Sequence, residues 1–104
     1  MTNKYQTFSE LLVNKLKNDK ELAEEFLRAG MEDYSENLDK EELLLSLKHL
    51  AEAKGVSKLA KEAGISRDVF YKSLLPNGNP KIDTLLAILK ALKYTITFKP
   101  IKHI

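Results

Sequence analysis

The sequence contains no cysteine, and its 104 residues include few glycines and prolines. The lack of cysteine excludes disulfide frameworks, zinc sites with thiolate ligands and cysteine nucleophiles. No apolar run approaches the roughly 18 residues that a membrane span needs, and the N-terminus lacks the apolar stretch of a signal peptide. We therefore expect a soluble protein of the cytoplasm that has no membrane partner.

Arrangements of residues that carry catalysis are also missing. His49 and His103 do not stand at metal-binding spacing with nearby carboxylates. The carboxylates between residues 19 and 25 lie at a predicted helix start, where the helix dipole favours negative charge, and they indicate a solvated surface. There is no phosphate-binding glycine loop and no supported Ser-His-Asp set. We expect no enzymatic activity, no metal site and no cofactor.

Hydrophobic residues make up 43% of the chain, which is enough for the core of one domain of this length. The charge is divided unevenly along it. Residues 1–53 contain 7 Lys+Arg and 12 Asp+Glu, a net of −5, whereas residues 54–104 contain 10 and 3, a net of +7. Chance clustering is one explanation. The other is a polyanionic partner such as nucleic acid for the basic half, because each neutralised phosphate releases counterions.

Apolar residues at helical spacing predict an all-α protein. Each predicted helix follows a residue whose side chain can accept a hydrogen bond from a free backbone N–H group. These predicted N-caps are Thr7, Asp19, Asp39, Ser57, Ser66 and Asn79. Pro80 suits the first position of the last helix, whose predicted buried stripe is Ile82, Leu85, Leu86, Leu89 and Leu92.

The C-terminal tail changes to a period of two. Tyr94, Ile96 and Phe98 alternate with polar residues up to Pro100, which predicts a short β-strand. A single strand cannot satisfy its own backbone groups, so it needs a partner strand. That partner is a second copy of the chain across a dimer axis, the N-terminal segment, or another protein. We favour the dimer or another protein over a partner within the chain.

The segment from Val56 to Leu74 has the spacing of a helix-turn-helix. Ala60 is small where two helices must cross closely, Gly64 permits the turn, and Ile65 fills the space beneath it. Val69 or Phe70 supplies the inward face of the second helix. In such motifs the second helix enters the major groove of DNA.

Two groups of residues are therefore candidate DNA contacts. Arg67 suits a bidentate contact with a guanine edge, and Lys72 suits a base or a phosphate. The base-reading candidates are Ser66, Arg67, Asp68, Tyr71 and Lys72. The DNA-backbone candidates, which would position the protein without reading sequence, are Ser57, Lys58, Lys61, Asn77, Asn79 and Lys81.

Residues 36–100 resemble the addiction-module antidote proteins, specifically the HigA-type antitoxins with a lambda-repressor-like domain. The resemblance rests on the segments 47–55, 58–67, 71–74, 78–80 and 89–92. Its most distinctive part is Gly64-Ile65-Ser66-Arg67-Asp68 with Tyr71-Lys72-Ser73-Leu74, followed by Gly78-Asn79-Pro80. The resemblance implies a five-helix, usually dimeric domain that represses its own operon on double-stranded operator DNA and neutralises a toxin, commonly a RelE-type ribonuclease.

This resemblance, together with the charge division, predicts two regions in one compact unit. Residues 39–104 form the helix-turn-helix domain with the C-terminal strand. Residues 1–38 form an acidic helical extension and a candidate toxin-contacting surface, since an acidic face suits a basic partner. Two alternatives stay open. One is a stand-alone or phage-type repressor without a toxin, and the other is a protein-interaction module that keeps the helix-turn-helix only as a scaffold.

Overall fold

A computed structural model describes residues 7–101, which are mainly helical and form no strand. The six helices in this part of the chain are α1 (Phe8–Asn18), α2 (Lys20–Asn37), α3 (Lys40–Lys54), α4 (Val56–Ala63), α5 (Arg67–Ser73) and α6 (Ile82–Ala91). No helix between residues 7 and 101 combines the length and the apolar character that crossing a membrane requires.

Four of the predicted N-caps are confirmed by side-chain hydrogen bonds. Thr7 accepts from the backbone N–H of Glu10 at 3.1 Å and begins α1. Asp19 and Asp39 accept in the same way, each at 3.0 Å, and begin α2 and α3. Ser66 accepts from the N–H of Val69 at 3.1 Å and begins α5. Local chemistry therefore fixes where these four helices start.

The other two predicted N-caps are wrong. Helix α4 begins one residue before Ser57, directly after Gly55, whose φ of 102° turns the chain between α3 and α4 without a side-chain cap. Helix α6 begins after Lys81 and not after Asn79. The Asn79 side chain instead accepts a hydrogen bond from Nζ of Lys40 at 3.3 Å, so a contact with the start of α3 replaces the capping role.

Helix α3 is the centre of the core. Helices α1 and α2 pack against α3, while α4 packs against α3, α5 and α6. The largest fully buried side chains come from α3, α5, α6 and the residues that follow them: Leu47, Leu50, Phe70, Leu74, Ile88 and Leu92. Leu16, Ala23 and Leu27 add the buried faces of α1 and α2 to the same cluster. One core therefore joins the acidic N-terminal helices to the basic C-terminal ones.

The predicted buried stripe of α6 is only partly correct. Leu89 and Leu92 are buried and Leu85 is half-buried, but Ile82 is 69% exposed and Leu86 is 43% exposed. The stripe missed Ile88, which is fully buried. Residues 85, 88, 89 and 92 lie on one face of the helix. Leu86 lies to the side of that face and is therefore partly exposed.

The predicted C-terminal strand, Tyr94 to Phe98, is not formed within the described residues. After α6, Lys93 takes a positive φ of 72°, and the N–H of Tyr94 donates to the carbonyl of Leu89 at 2.8 Å, which closes the helix end. Tyr94 and Ile96 then pack against the core cluster, while Phe98 is 97% exposed. The alternation in the sequence therefore arises because one side of the tail packs on the core. A β-ladder needs a second strand, and the described residues supply none.

Candidate nucleic-acid interface

Helices α4 and α5 are joined by a tight three-residue turn. Gly64 takes a φ of 75°, a left-handed conformation that costs a residue with a Cβ atom. The N–H of Ile65 donates to the carbonyl of Ala60 at 3.1 Å, so the last turn of α4 is closed by the connection itself. Ser66 then caps α5. Both helices predicted for this segment are present, with the glycine where the turn needs it.

The inward face of α5 is supplied by Phe70. Its side chain has no exposed surface, whereas Val69 is 52% exposed. Burying an aromatic side chain of this size anchors a helix of only seven residues to the core. Because Phe70 fixes the helix, the opposite side of α5 faces solvent. Val69 belongs to that solvent side, where an apolar side chain suits a thymine methyl group.

The base-reading candidates lie on this exposed side of α5. Ser66, Arg67, Asp68 and Lys72 are exposed, and Tyr71 is half-buried. Asp68 and Lys72 form an ion pair of 3.1 Å in which both side chains are more than two-thirds exposed, at 73% and 69%. Such exposed pairs contribute little to stability. Arg67 makes no ion pair or side-chain hydrogen bond among residues 7–101, so its guanidinium is available to a ligand.

One residue next to this surface was missed by the sequence analysis. Nζ of Lys48, on α3, lies 5.7 Å from the centre of the Tyr71 ring, within the range of a cation–π contact. The same ammonium lies 3.6 Å from Oε1 of Glu52, one turn further along α3. The i,i+4 spacing of Lys48 and Glu52 is visible in the sequence. The approach to Tyr71 is not, because it depends on how α3 and α5 are placed in the fold.

The candidate DNA-backbone residues fall into two groups. Ser57, Lys58 and Lys61 are exposed on α4, and no hydrogen bond or ion pair between residues 7 and 101 joins them to α5. Asn77, Asn79 and Lys81 are exposed in the connection from α5 to α6. No hydrogen bond or ion pair among residues 7–101 joins these two groups to one another, so their common role stays a prediction.

Gly78 fixes the shape of the connection from α5 to α6. It is buried, and its N–H donates to the carbonyl of Leu75 at 2.7 Å. A Cβ atom at this position would collide with the backbone carbonyl oxygen of Ser73. The connection therefore holds Asn77 and Asn79 on either side of a glycine that packs against the end of α5.

The N-terminal helices present a different surface. Helix α2 carries six carboxylates against two basic residues. An open groove of about 630 Å³ lies between α1 and α2, lined by Leu11, Asn14, Lys15, Asn18, Asp19 and Leu22. Phe8 and Leu11 on α1 are 79% and 48% exposed. This region combines an apolar groove with an acidic neighbouring helix, which is unsuited to DNA and suited to a basic protein.

His49 is a buried polar residue between the two regions. It is 5% exposed, its ring meets that of Phe26 edge to face at 6.0 Å, and its Nδ1 has no hydrogen-bond partner among the described residues. Burial lowers the pKa of His49 below its usual 6.5, and the nearby charge of Lys48 acts in the same direction, while Glu52 opposes them. Residues 7–101 contain no group of side chains that could hold a metal ion.

Comparison with known proteins adds a family. The sequence profile of a family described as "probable addiction module antidote protein" matches residues 7–100. An uncharacterized protein from Haemophilus influenzae is 46% identical over 55 residues, which is 52% of this chain and 57% of that relative. The chain thus spans a little over half the length of this curated relative, and no solved structure matches. Because the profile covers nearly the whole chain, the protein belongs to the family of probable addiction module antidote proteins.

Proposed function

We propose that this protein is the antidote of a type II toxin-antitoxin module that binds operator DNA through α4 and α5, represses its own operon and neutralises a partner toxin. Within its family we assign it to the HigA-type, lambda-repressor-like antitoxins. The observation that carries the DNA-binding half is the exposed side of α5, a helix that Phe70 anchors to the core. Arg67 lies there with no ion pair or side-chain hydrogen bond among residues 7–101.

The proposed recognition of DNA bases follows from the chemistry of the side chains on the exposed side of α5. A guanidinium bonds the two acceptors of a guanine edge in a bidentate manner, which suits Arg67. Lys72 contacts DNA only after its exposed ion pair with Asp68 opens, at a small cost because that pair is solvated. Lys58 and Lys61 on α4 would bind phosphates and set the position of α5 in the groove.

The proposed toxin contact lies on α1 and α2. A RelE-type ribonuclease is expected to be basic because its substrate is RNA. The groove beside Leu11 and Leu22 offers apolar area, and the carboxylates of α2 offer complementary charge. Apolar contact supplies affinity at the centre of an interface, whereas complementary charge at its rim speeds association. This surface favours an antidote over a repressor that lacks a toxin.

We also propose that the protein acts as a homodimer. Ile82 and Leu86 on α6 and Phe98 in the tail are large apolar side chains exposed by 69%, 43% and 97%. Residues 95–101 have no assigned secondary structure, and a strand from a second copy would pair with their backbone groups. A twofold dimer would place two copies of α5 on successive major grooves of one face of DNA.

The proposed DNA binding is tested by mobility shift on a duplex from the gene's own promoter. We expect Arg67→Ala to lose the specific complex and to keep weak non-specific binding, since the phosphate contacts remain. Lys17→Ala is the matched control, because it removes one positive charge from the exposed part of α1. Unchanged specific binding by Arg67→Ala would refute the placement of the reading helix.

The toxin half is tested with the product of a short basic reading frame beside this gene. We expect co-expression to rescue growth, and we expect Leu11→Ser to weaken the rescue, because Leu11 lines the groove without belonging to the buried core. The absence of any such reading frame would favour the repressor without a toxin. Absence of salt-dependent DNA binding would favour the protein-interaction module.

A further inference from the structure

We propose that Lys48 is a positioning residue of the DNA interface: Glu52 holds its ammonium against the ring of Tyr71, and this fixes Tyr71 on the reading side of α5. The inference rests on the proposed DNA binding through α5. It adds a residue from α3, which lies outside the segment Val56–Leu74 that the sequence marks as the DNA-binding motif.

The first step is that Glu52 fixes the position of Lys48. Oε1 of Glu52 is sealed from solvent and has no hydrogen-bond partner among residues 7–101, and Nζ of Lys48 lies 3.6 Å from it. A buried carboxylate oxygen is costly unless a cation lies close to it. The Lys48 ammonium is therefore drawn to one place.

Stabilisation of α3 does not by itself explain the ion pair between Lys48 and Glu52. Lysine precedes glutamate here, and for pairs at i,i+4 the favourable order is the reverse. The two side chains are also only 24% and 32% exposed, in contrast with the Asp68–Lys72 pair on α5, whose side chains are 73% and 69% exposed. A partly buried ion pair in the less favourable order indicates a role that depends on where the cation is placed.

The second step is that Lys48 restrains Tyr71. The ammonium lies 5.7 Å from the ring centre, and an aromatic face attracts a cation at this distance. Tyr71 stands four residues after Arg67, so both side chains lie on neighbouring positions of one helix face. Tyr71 is half-buried, so its ring is held between α3 and solvent. Fixing the ring fixes the position of its hydroxyl group on the helix face that also carries Arg67.

If Lys48 instead contacted a DNA phosphate directly, the salt dependence of binding would change in a different way. Loss of a phosphate contact lowers the slope of log affinity against log salt concentration by about 1. Loss of a positioning contact weakens specific binding and leaves that slope unchanged, because no counterion release is lost. The salt slope therefore separates the two roles.

The test uses the full-length chain and a fluorescent duplex of its own promoter, with anisotropy measured over a series of salt concentrations. The variants are Lys48→Met, Lys48→Arg, Glu52→Gln, Tyr71→Leu and the double variant Lys48→Met/Tyr71→Leu. Lys17→Met is the control for loss of a lysine elsewhere. Circular dichroism and thermal melting establish that each variant is folded.

We expect Lys48→Met and Glu52→Gln each to weaken specific binding about two- to tenfold with an unchanged salt slope. We expect Lys48→Arg to restore binding, since a guanidinium also stacks on an aromatic ring, and Lys48→Met to have no further effect when Tyr71 is already leucine. Additive losses in the double variant, or a lower salt slope, would overturn the positioning role.

The outcomes also separate this inference from the function on which it rests. If the wild type binds specifically and Arg67→Ala abolishes that binding, while Lys48→Met binds as the wild type does, the inference fails and the proposed function stands. If the wild type has no specific binding, or Arg67→Ala leaves it intact, the proposed reading by α5 fails as well.

Discussion

Helix α3 separates two regions that share a core and differ in what they show to solvent. On one side, α2 carries six carboxylates, and α1 leaves Phe8 and Leu11 exposed beside an open groove. On the other side, α5 is anchored by a fully buried Phe70 and exposes Arg67 and Lys72. The difference teaches that one small core can carry two surfaces of opposite charge, each suited to a partner that the other would repel.

The largest expected difference between the two regions is in how much a Phe→Ala substitution lowers the free energy of unfolding. We expect Phe70→Ala to lower the free energy of unfolding by about 3–5 kcal/mol, because it empties a fully buried site. We expect Phe8→Ala, at a side chain that is 79% exposed, to change it by no more than about 0.5 kcal/mol. Urea unfolding followed by circular dichroism measures both, and equal losses would contradict the assignment of the core.

The two regions also differ in the expected loss of stability when a closely packed glycine is replaced by alanine. Gly78→Ala would press a Cβ atom onto the backbone carbonyl of Ser73, and we expect a loss of about 1–3 kcal/mol. At Gly30 an added Cβ atom would meet the Ser46 hydroxyl, which can rotate away from its 2.8 Å bond to the Glu42 carbonyl. The Cβ atom would also lie 3.2 Å from Cβ of Ser46 and 3.3 Å from the Glu42 carbonyl oxygen, and shifts of a few tenths of an ångström relieve these contacts. Alanine also favours the helix, so we expect a net change of about 1 kcal/mol or less. Thermal melting compares the two variants, and a larger loss at Gly30 would contradict this account.

The third prediction concerns pH at the junction of the two regions. Burial lowers the pKa of His49 in the folded state, so below pH 6.5 the unfolded state binds more protons than the folded state. The contribution of His49 to the free energy of unfolding is therefore fully present above pH 6.5. It is lost as the pH falls from 6.5 through the folded-state pKa. We expect the melting temperature of the wild type to fall more steeply between pH 7 and pH 5 than that of His49→Gln. Parallel curves would contradict the buried, neutral histidine.

The smallest predicted effects are gains in stability at two helix ends, one in each region. Leu38 at the end of α2 and Lys93 at the end of α6 have positive φ values of 57° and 72°, and both are exposed. We expect Leu38→Gly and Lys93→Gly each to stabilise the fold by about 0.5–1 kcal/mol, because glycine adopts this conformation without steric cost. Lys93→Ala is the control, because it keeps the Cβ atom and should show no gain in chemical unfolding.

The sequence was informative where structure depends on neighbouring residues. Capping by Thr7, Asp19, Asp39 and Ser66 involves atoms only two or three residues away, and all four were predicted correctly. The turn at Gly64 was predicted for the same reason. Asn79 was wrongly assigned as a cap because its actual partner is Lys40, a residue 39 positions away in the chain.

Features that depend on how helices are placed in the fold were beyond the sequence. The tail alternates as a strand does, but its period reflects packing of Tyr94 and Ile96 on the core, with no ladder in the described residues. The contact of Lys48 with Tyr71 joins two helices whose mutual position no local pattern records. The exposed positions of Arg67 and Lys72 were predictable, because they follow from the helical period and the one buried residue, Phe70.

The most direct test of the two-surface account measures both binding reactions in two variants, Arg67→Ala and Leu11→Ser. The probes are a duplex from the gene's own promoter and the proposed toxin partner, each titrated against the full-length protein. The account predicts that Arg67→Ala loses specific DNA binding and still binds the toxin, and that Leu11→Ser does the reverse. Loss of both activities in one folded variant, or of neither in both, would contradict it.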